Sequence, residues 1–232
     1  MEIESLDSPE ALAARTAEHI AHHTPASVAA RARCVLALSG GTEPWAAARA
    51  LAAMTLPWHA LHVVQVDERA APPGHRSRNW THLEENLLQH APIPRSHGHA
   101  MPVDDPDLEG AAQRYARTLE TLAGVPPVLD LVHLGLGDDG HTASLVPGDP
   151  VLELEADVGV TAPYRGWRRM TLTFAAINRA RAIVWLIRGE NKAQALSRLL
   201  AGDPGIPASR VRRDNALLLT ERDTLAVATG AA

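Results

Sequence analysis

Apolar and polar positions alternate between two rhythms along this chain. Short unbroken apolar runs give way to longer stretches in which apolar residues return every three or four positions. The runs at 33–38, 61–66, 128–134 and 181–187 are rich in Val, Leu and Ile. Their length and composition predict strands covered on both faces, with a last short strand at 216–219. Between them the spacing is helical. Ser8 caps and Pro9 opens a first helix carrying Leu12, Thr16 and Ile20 on one face, with His22 and His23 near its end as structural residues. Pro44 opens a second, with Trp45, Ala48 and Leu51 or Ala52 inward. Residues 76–90 form a third around Trp80, Leu83 and Leu87 or Leu88, with Arg78 and Asn79 in its first turn. The clearest amphipathic stretch is 104–124, capped by an aspartate, striped with Leu108, Ala112, Tyr115, Leu119 and Leu122, and ended by Gly124. Residues 193–200 and 208–212 are helical as well.

Strands alternating with helices predict an α/β fold with a mostly parallel sheet flanked by helices. A small β subdomain is expected within 149–175. There, 151–163 carries short strands, and 168–174 alternates as a strand entered through Arg168 and Arg169 before a turn at Ile177 and Asn178. Residues 91–103 are Pro- and His-rich. His97 and His99 lack a third ligand at zinc-site spacing, so this is read as a solvated loop and no metal is expected. No repeat or shift in composition divides the chain, and residues 1–232 are read as one domain.

Composition narrows the function. With 46% hydrophobic and 21% charged residues the chain is that of a soluble globular protein, and a net charge of −5 leaves no footprint for nucleic acid. An anionic substrate would have to be held by local cations against the overall field. The lone Cys34 fits a reducing compartment. The acidic beginning Met1-Glu2-Ile3-Glu4 lacks the regions of a signal peptide, and no apolar run is long enough to span a membrane. A cytoplasmic protein, monomeric or weakly dimeric, is expected.

The candidate chemistry lies where strands end, which is where parallel sheets place their ligands. After the run at 128–134 come Gly135, Gly137 and Gly140, framing Asp138, Asp139 and His141. A histidine beside a carboxylate that fixes its tautomer is a reasonable general base near neutral pH, although a loop histidine is more often a solvated residue than a catalyst. After 33–38, Ser39-Gly40-Gly41-Thr42 runs into a helix start, a geometry that offers backbone N–H groups to an anion or simply makes a tight turn. It is neither a dinucleotide fingerprint nor a P-loop. Asp67-Glu68-Arg69 ends the next strand, as a solvated rim or as part of the same site. Lys192, in the first turn of its helix, opposes the helix dipole, a small cost that a bound phosphate would offset and that a surface lysine would also tolerate.

Five blocks in this order, Leu38-Ser39-Gly40-Gly41-Thr42, Val66-Asp67-Glu68-Arg69, the segment from Gly135 to Ser144, Arg169-Met170-Thr171-Leu172-Thr173 and Gly189-Glu190-Asn191-Lys192, resemble the 6-phosphogluconolactonases of the pentose phosphate pathway. Their superfamily also holds glucosamine-6-phosphate deaminase. The resemblance runs over about residues 36–200 and implies a modified Rossmann-like sheet with a small β subdomain. It implies hydrolysis of a phosphorylated sugar lactone without cofactor, His141 activating water and Asp139 orienting it. Ser39, Gly40, Gly41, Thr42, Asp67, Arg69, Arg169 and Lys192 would line the pocket and hold substrate and phosphate. Two positions depart from the family pattern. Val146 stands where a Phe is frequent, and Arg78-Asn79 stands where Ser-Asn is found, which leaves Arg69, Arg76 and Arg78 all open as phosphate ligands. A deaminase would be expected to carry a glutamate in the segment containing Val146, and a non-catalytic sugar-phosphate sensor would have no use for an Asp139–His141 pair.

Overall fold

The computed structural model describes residues 1–231. Its centre is a seven-stranded sheet in the order β1-β10-β9-β6-β2-β3-β5, and every neighbouring pair in it is parallel. The strands are β1 (Glu2–Leu6), β2 (Cys34–Leu38), β3 (Leu61–Gln65), β5 (Gly98–His99), β6 (Leu131–Leu134), β9 (Ala182–Ile187) and β10 (Ala216–Glu221). A separate antiparallel sheet is built from β4 (Asp67–Arg69), β8 (Arg169–Leu172) and β7 (Val158–Val160). The α-helices among the described residues are α1 (Pro9–Arg31), α2 (Thr42–Ala52), α3 (Asn79–Leu83), α4 (Leu108–Ala123), α5 (Phe174–Arg179), α6 (Ala193–Ala201) and α7 (Arg222–Thr229).

The period-2 rule sorts the central strands into two cores. Cys34, Leu36 and Leu38 face Leu12, Ile20, Ala48 and Leu51 of α1 and α2, whereas Val35 and Ala37 share a core with Leu108, Tyr115 and Leu119 of α4 and with Leu196 of α6. This gives a three-layer sandwich, and burial on both faces is why those strands read as unbroken apolar runs.

Several expectations needed correction. The beginning of the chain is strand β1, paired with β10; its buried area is small and its sequence polar, so no apolar run announced it. Helix α1 does not stop near His22 and His23 but passes through Pro25 to Arg31, because its buried face continues through Thr24 and Ser27. Helix α4 starts at Leu108, where Asp107 accepts from Gly110 N, and not at 104. The stretch 91–103 is not wholly loop: β5 adds to the edge of β3, and the His97 and His99 rings stack on His62, with His62 Nδ1 and His99 Nε2 3.1 Å apart. Ile177 and Asn178 lie inside α5, and α7 follows the last strand. The small sheet draws only two of its strands from 149–175; the third, β4, comes from the Asp67-Glu68-Arg69 block.

That block is therefore no solvated rim. Val66 bridges the two sheets, donating its N–H to Leu38 O at 3.0 Å and accepting from Leu172 N at 2.8 Å. Two residues on, Glu68 is completely buried. Its carboxylate accepts from Gln65 Nε2 and from the backbone N–H groups of Arg69, Asn79 and Trp80, all within 2.7–2.8 Å. Buried Arg78 lies against the same carboxylate and bonds Ala71 O and Asp104. Arg78 is thus committed to the structure and is removed from the candidate phosphate ligands.

Candidate active site

Strand order turns back between β2 and β6: β3 lies to one side of that pair, β9 and β10 to the other. At such a switch point the loops leaving two adjacent parallel strands diverge and open a crevice. Here a cavity of about 290 Å³ opens, lined by Ser39, Gly40 and Gly41 after β2, by Gly135 to Gly137 and His141 after β6, and by Leu186, Ile187 and Arg188 at the end of β9. Asp67 and Arg69 of β4 and Arg169 of β8 form its far wall, joined by Arg165 and Lys192. Of the residues expected at the site, Ser39, Gly40, Gly41, Asp67, Arg69, His141, Arg169 and Lys192 all reach this one cavity. Thr42 does not. It is the first residue of α2 and faces a separate shallow groove with Pro9 and Ala46.

The loop after β6 is shaped around the histidine. His141 Nδ1 lies 2.5 Å from Asp139 Oδ1, and the same oxygen accepts the His141 backbone N–H at 3.1 Å. Burial tends to raise the carboxyl pKa of Asp139, but His141 and the Tyr164 hydroxyl outweigh it, so Asp139 sits below the usual carboxylate range. Gly137 makes room for the pair. A Cβ there would stand 2.0 Å from His141 Nδ1 and 2.7 Å from Asp139 Oδ1. Gly140 adopts φ +84°, and a side chain on it would run into Ile206. Gly137→Ala should therefore expel the imidazole from its place and lower activity by roughly tenfold or more, overpacking of this kind costing about 1–3 kcal/mol. The check is kcat together with circular dichroism; full activity in a folded variant would show that His141 does not need this position.

The wall opposite is cationic. Arg69 and Arg169 stand directly across from each other in the β4–β8 register, a like-charge pairing that a sheet ordinarily avoids. Burial and the neighbouring Arg69 pull the Arg169 pKa down, with Asp67 opposing them. The Nε atoms of both arginines are buried without a partner. Asp67 is itself committed: Oδ2 accepts from Ser144 Oγ at 2.6 Å, and Oδ1 from Asn79 Nδ2 at 3.1 Å. It acts as a fixed counter-charge for the arginines, and no anion would bind to it directly. Arg165 pairs with Asp138 at 3.1 Å, and Arg188 is held by Glu221 and Glu43. Burial favours the neutral acid at Asp138, but Lys192 and Arg165 hold its pKa low.

Ser39 is held from behind by His133 of β6, with Ser39 Oγ 2.9 Å from His133 Nδ1. Full burial lowers the His133 pKa to about 4. The unfolded chain therefore takes up this proton near pH 6.5, whereas the folded protein resists it down to about 4. The unfolded state binds more protons throughout that window, so stability rises with pH across it and levels off above. His133 alone should remove up to about 3 kcal/mol on acidification from pH 7.5 to 4.5, and His19 and His62 act in the same direction. Urea midpoints of wild type and His133→Leu at both pH values test this; equal losses in the two proteins would contradict it.

Reading the sequence missed Tyr164, Arg165, Arg188 and His133. Arg188 stands immediately after a strand on the ligand-binding edge, and the strand-end rule could have flagged it. Tyr164 and Arg165 precede Gly166 between two strands, a turn signal that was there to be read. His133 was hidden because it sits inside an apolar run.

With this geometry in view, the chain can be set beside known proteins. The family model for glucosamine-6-phosphate isomerases/6-phosphogluconolactonase matches residues 7–220. The 6-phosphogluconolactonase of Synechocystis is 39% identical over 179 residues, 75% of each chain. That of Mycobacterium tuberculosis is 35% identical over 240 aligned positions, 97% of each. The solved structure of 6-phosphogluconolactonase from Trypanosoma brucei superposes with a TM-score of 0.86 at 27% identity, covering 100% of this chain and 98% of the other. Two adjacent strand ends, a histidine–carboxylate pair and a facing wall of arginines thus belong to a chain matched over most of its length by the family model and by these relatives, and the chain is a member of the glucosamine-6-phosphate isomerase/6-phosphogluconolactonase family.

Proposed function

We propose that this chain hydrolyses 6-phospho-D-glucono-1,5-lactone to 6-phosphogluconate, the step of the oxidative pentose phosphate pathway that its relatives are named for. The observation that carries the reading is the Asp139–His141 pair set across one small cavity from Arg69, Arg169 and Lys192. With Nδ1 engaged by Asp139, the basic ring nitrogen is Nε2. It takes a proton from water as the oxygen attacks the lactone carbonyl, and the carbonyl becomes a tetrahedral oxyanion. Collapse of that intermediate breaks the bond to the ring oxygen, which leaves with the proton held by the imidazolium. A δ-lactone is activated enough that one positioned base and nearby positive charge suffice.

The arginine wall supports a phosphate ligand on energetic grounds. Two facing guanidiniums with orphaned Nε groups are costly on their own, and a dianion between them would offset that cost. The uncapped start of α2 at Gly41 adds unpaired backbone N–H groups. The rival deamination needs an acid relay for ring opening. Val146, buried in the segment where a deaminase glutamate is expected, carries no proton. The test is proton release from freshly generated lactone, run beside ammonia release from glucosamine 6-phosphate. Lactone turnover well above the spontaneous rate, with no ammonia, is expected; the opposite pattern would assign the site to deamination.

A further inference from the structure

Strands β7 and β8 are joined by a segment whose tip is Tyr164-Arg165-Gly166-Trp167. Tyr164 N donates to Trp167 O at 2.9 Å, and Trp167 N donates back to Tyr164 O at 3.3 Å. Arg165 and Gly166 both have positive φ, +48° and +86°, which is the two-residue turn suited to the twist of a hairpin. A left-handed arginine is strained by roughly 1–2 kcal/mol. Such strain persists where the surroundings fix it, and here the surroundings are the site itself. Tyr164 Oη donates to Asp139 Oδ2 at 2.9 Å, while Asp139 Oδ1 faces His141. Both oxygens of the carboxylate are thereby taken. The tyrosine ring meets the His141 ring edge-on at 5.6 Å, and the guanidiniums of Arg165 and Arg169 lie 5.3 and 5.0 Å from its centroid. Tyr164 is not among the residues lining the cavity.

We infer that Tyr164 is a positioning residue for the reaction: it locks the Asp139 carboxylate from its far side, and through Asp139 it fixes the orientation and tautomer of His141 without touching substrate. The inference rests on the reading of His141 as the base. A carboxylate anchored through one oxygen can swing about its last torsion and carry the imidazole with it. A second anchor removes that freedom. The phenol also draws charge away from Asp139. This tempers the support that Asp139 gives to a protonated imidazole. The charged groups lining the same cavity are Glu43, Asp67, Arg69, Arg165, Arg169, Arg188 and Lys192, with Asp138 on the histidine's own loop beside Arg165.

The test is Tyr164→Phe, which keeps the ring, its contact with His141 and the stacked arginines, and removes only the hydroxyl. We expect kcat to fall about three- to tenfold, less than the full worth of a hydrogen bond to a charged group because the hydroxyl acts on the base only through Asp139, with KM little changed. The acid limb of kcat/KM should move to higher pH, because a carboxylate relieved of the phenol favours the imidazolium more strongly. Loosening of the fold alone would lower kcat without moving that limb. In an Asp139→Asn background the same replacement should leave the limb where it is. Wild-type kcat and an unmoved limb in Tyr164→Phe, with His141→Ala inactive, would overturn this inference alone. Full turnover by His141→Ala would overturn the reading beneath it.

Discussion

Replacing His141 with Ala should lower kcat on 6-phosphogluconolactone by about 10²–10⁴-fold, while KM and the thermal midpoint stay near their wild-type values. The size follows from what the residue does in the proposed step. A positioned base supplies a proton acceptor within hydrogen-bond reach of the attacking water, and no second group at the site can take over. Asp139 is held low by its partners, and Tyr164 is pushed up by burial and by its bond to Asp139, so neither is a base matched to neutral pH. The fold should survive because the imidazole sits at the cavity wall and not in either core. Since the lactone also opens unaided, the measurement is the initial rate above that background. A variant that keeps wild-type kcat would remove His141 from the chemistry.

Replacing Arg169 with Ala should raise KM for the phosphorylated lactone by about 10–100-fold, the range for losing hydrogen bonds to a charged group, and should leave the unphosphorylated lactone almost unaffected. Arg169 is buried and bonded to the structure only weakly, through Ser144 Oγ at 3.5 Å. Its removal also relieves the repulsion with Arg69, so the thermal midpoint should not fall far. Parallel kinetics on the two lactones give the check. An equal rise in KM for both would mean that Arg169 shapes the pocket without serving the phosphate. Lys192→Ala should change KM in the same direction, by less, because its ammonium is more freely hydrated.

How much of this was legible in the sequence depended on what kind of physics encoded it. The strands β2, β3, β6 and β9 were legible because burial on both faces leaves unbroken apolar runs. The loop at 135–144 was legible because close approach demands Gly137 and a left-handed turn demands Gly140. β1 and β5 were not. They are held by backbone hydrogen bonds to a neighbour that lies far away in sequence, and their own side chains carry little signal. The three charges of Asp67-Glu68-Arg69 were ambiguous, readable as rim or as site, for the opposite reason. Local composition reads as surface, yet Glu68 can be buried because four N–H donors converge on it, two from its own segment and two from the start of α3. The site was legible where one segment supplied it, as with Asp139 and His141. It was hidden where segments meet, as with Tyr164 on Asp139 and His133 on Ser39.

One consequence follows from the path of residues 61–69. A single extended segment leaves the large sheet at Gln65 and enters the small one at Asp67, with Val66 tied to both. The glycine turn on one rim of the crevice and the guanidiniums on the other are therefore stitched to the same rod, with no pliable joint between them. A site held this way is expected to receive its ligand as a mould receives a casting, with selectivity set before the encounter by the fixed spacing and charge of its two rims.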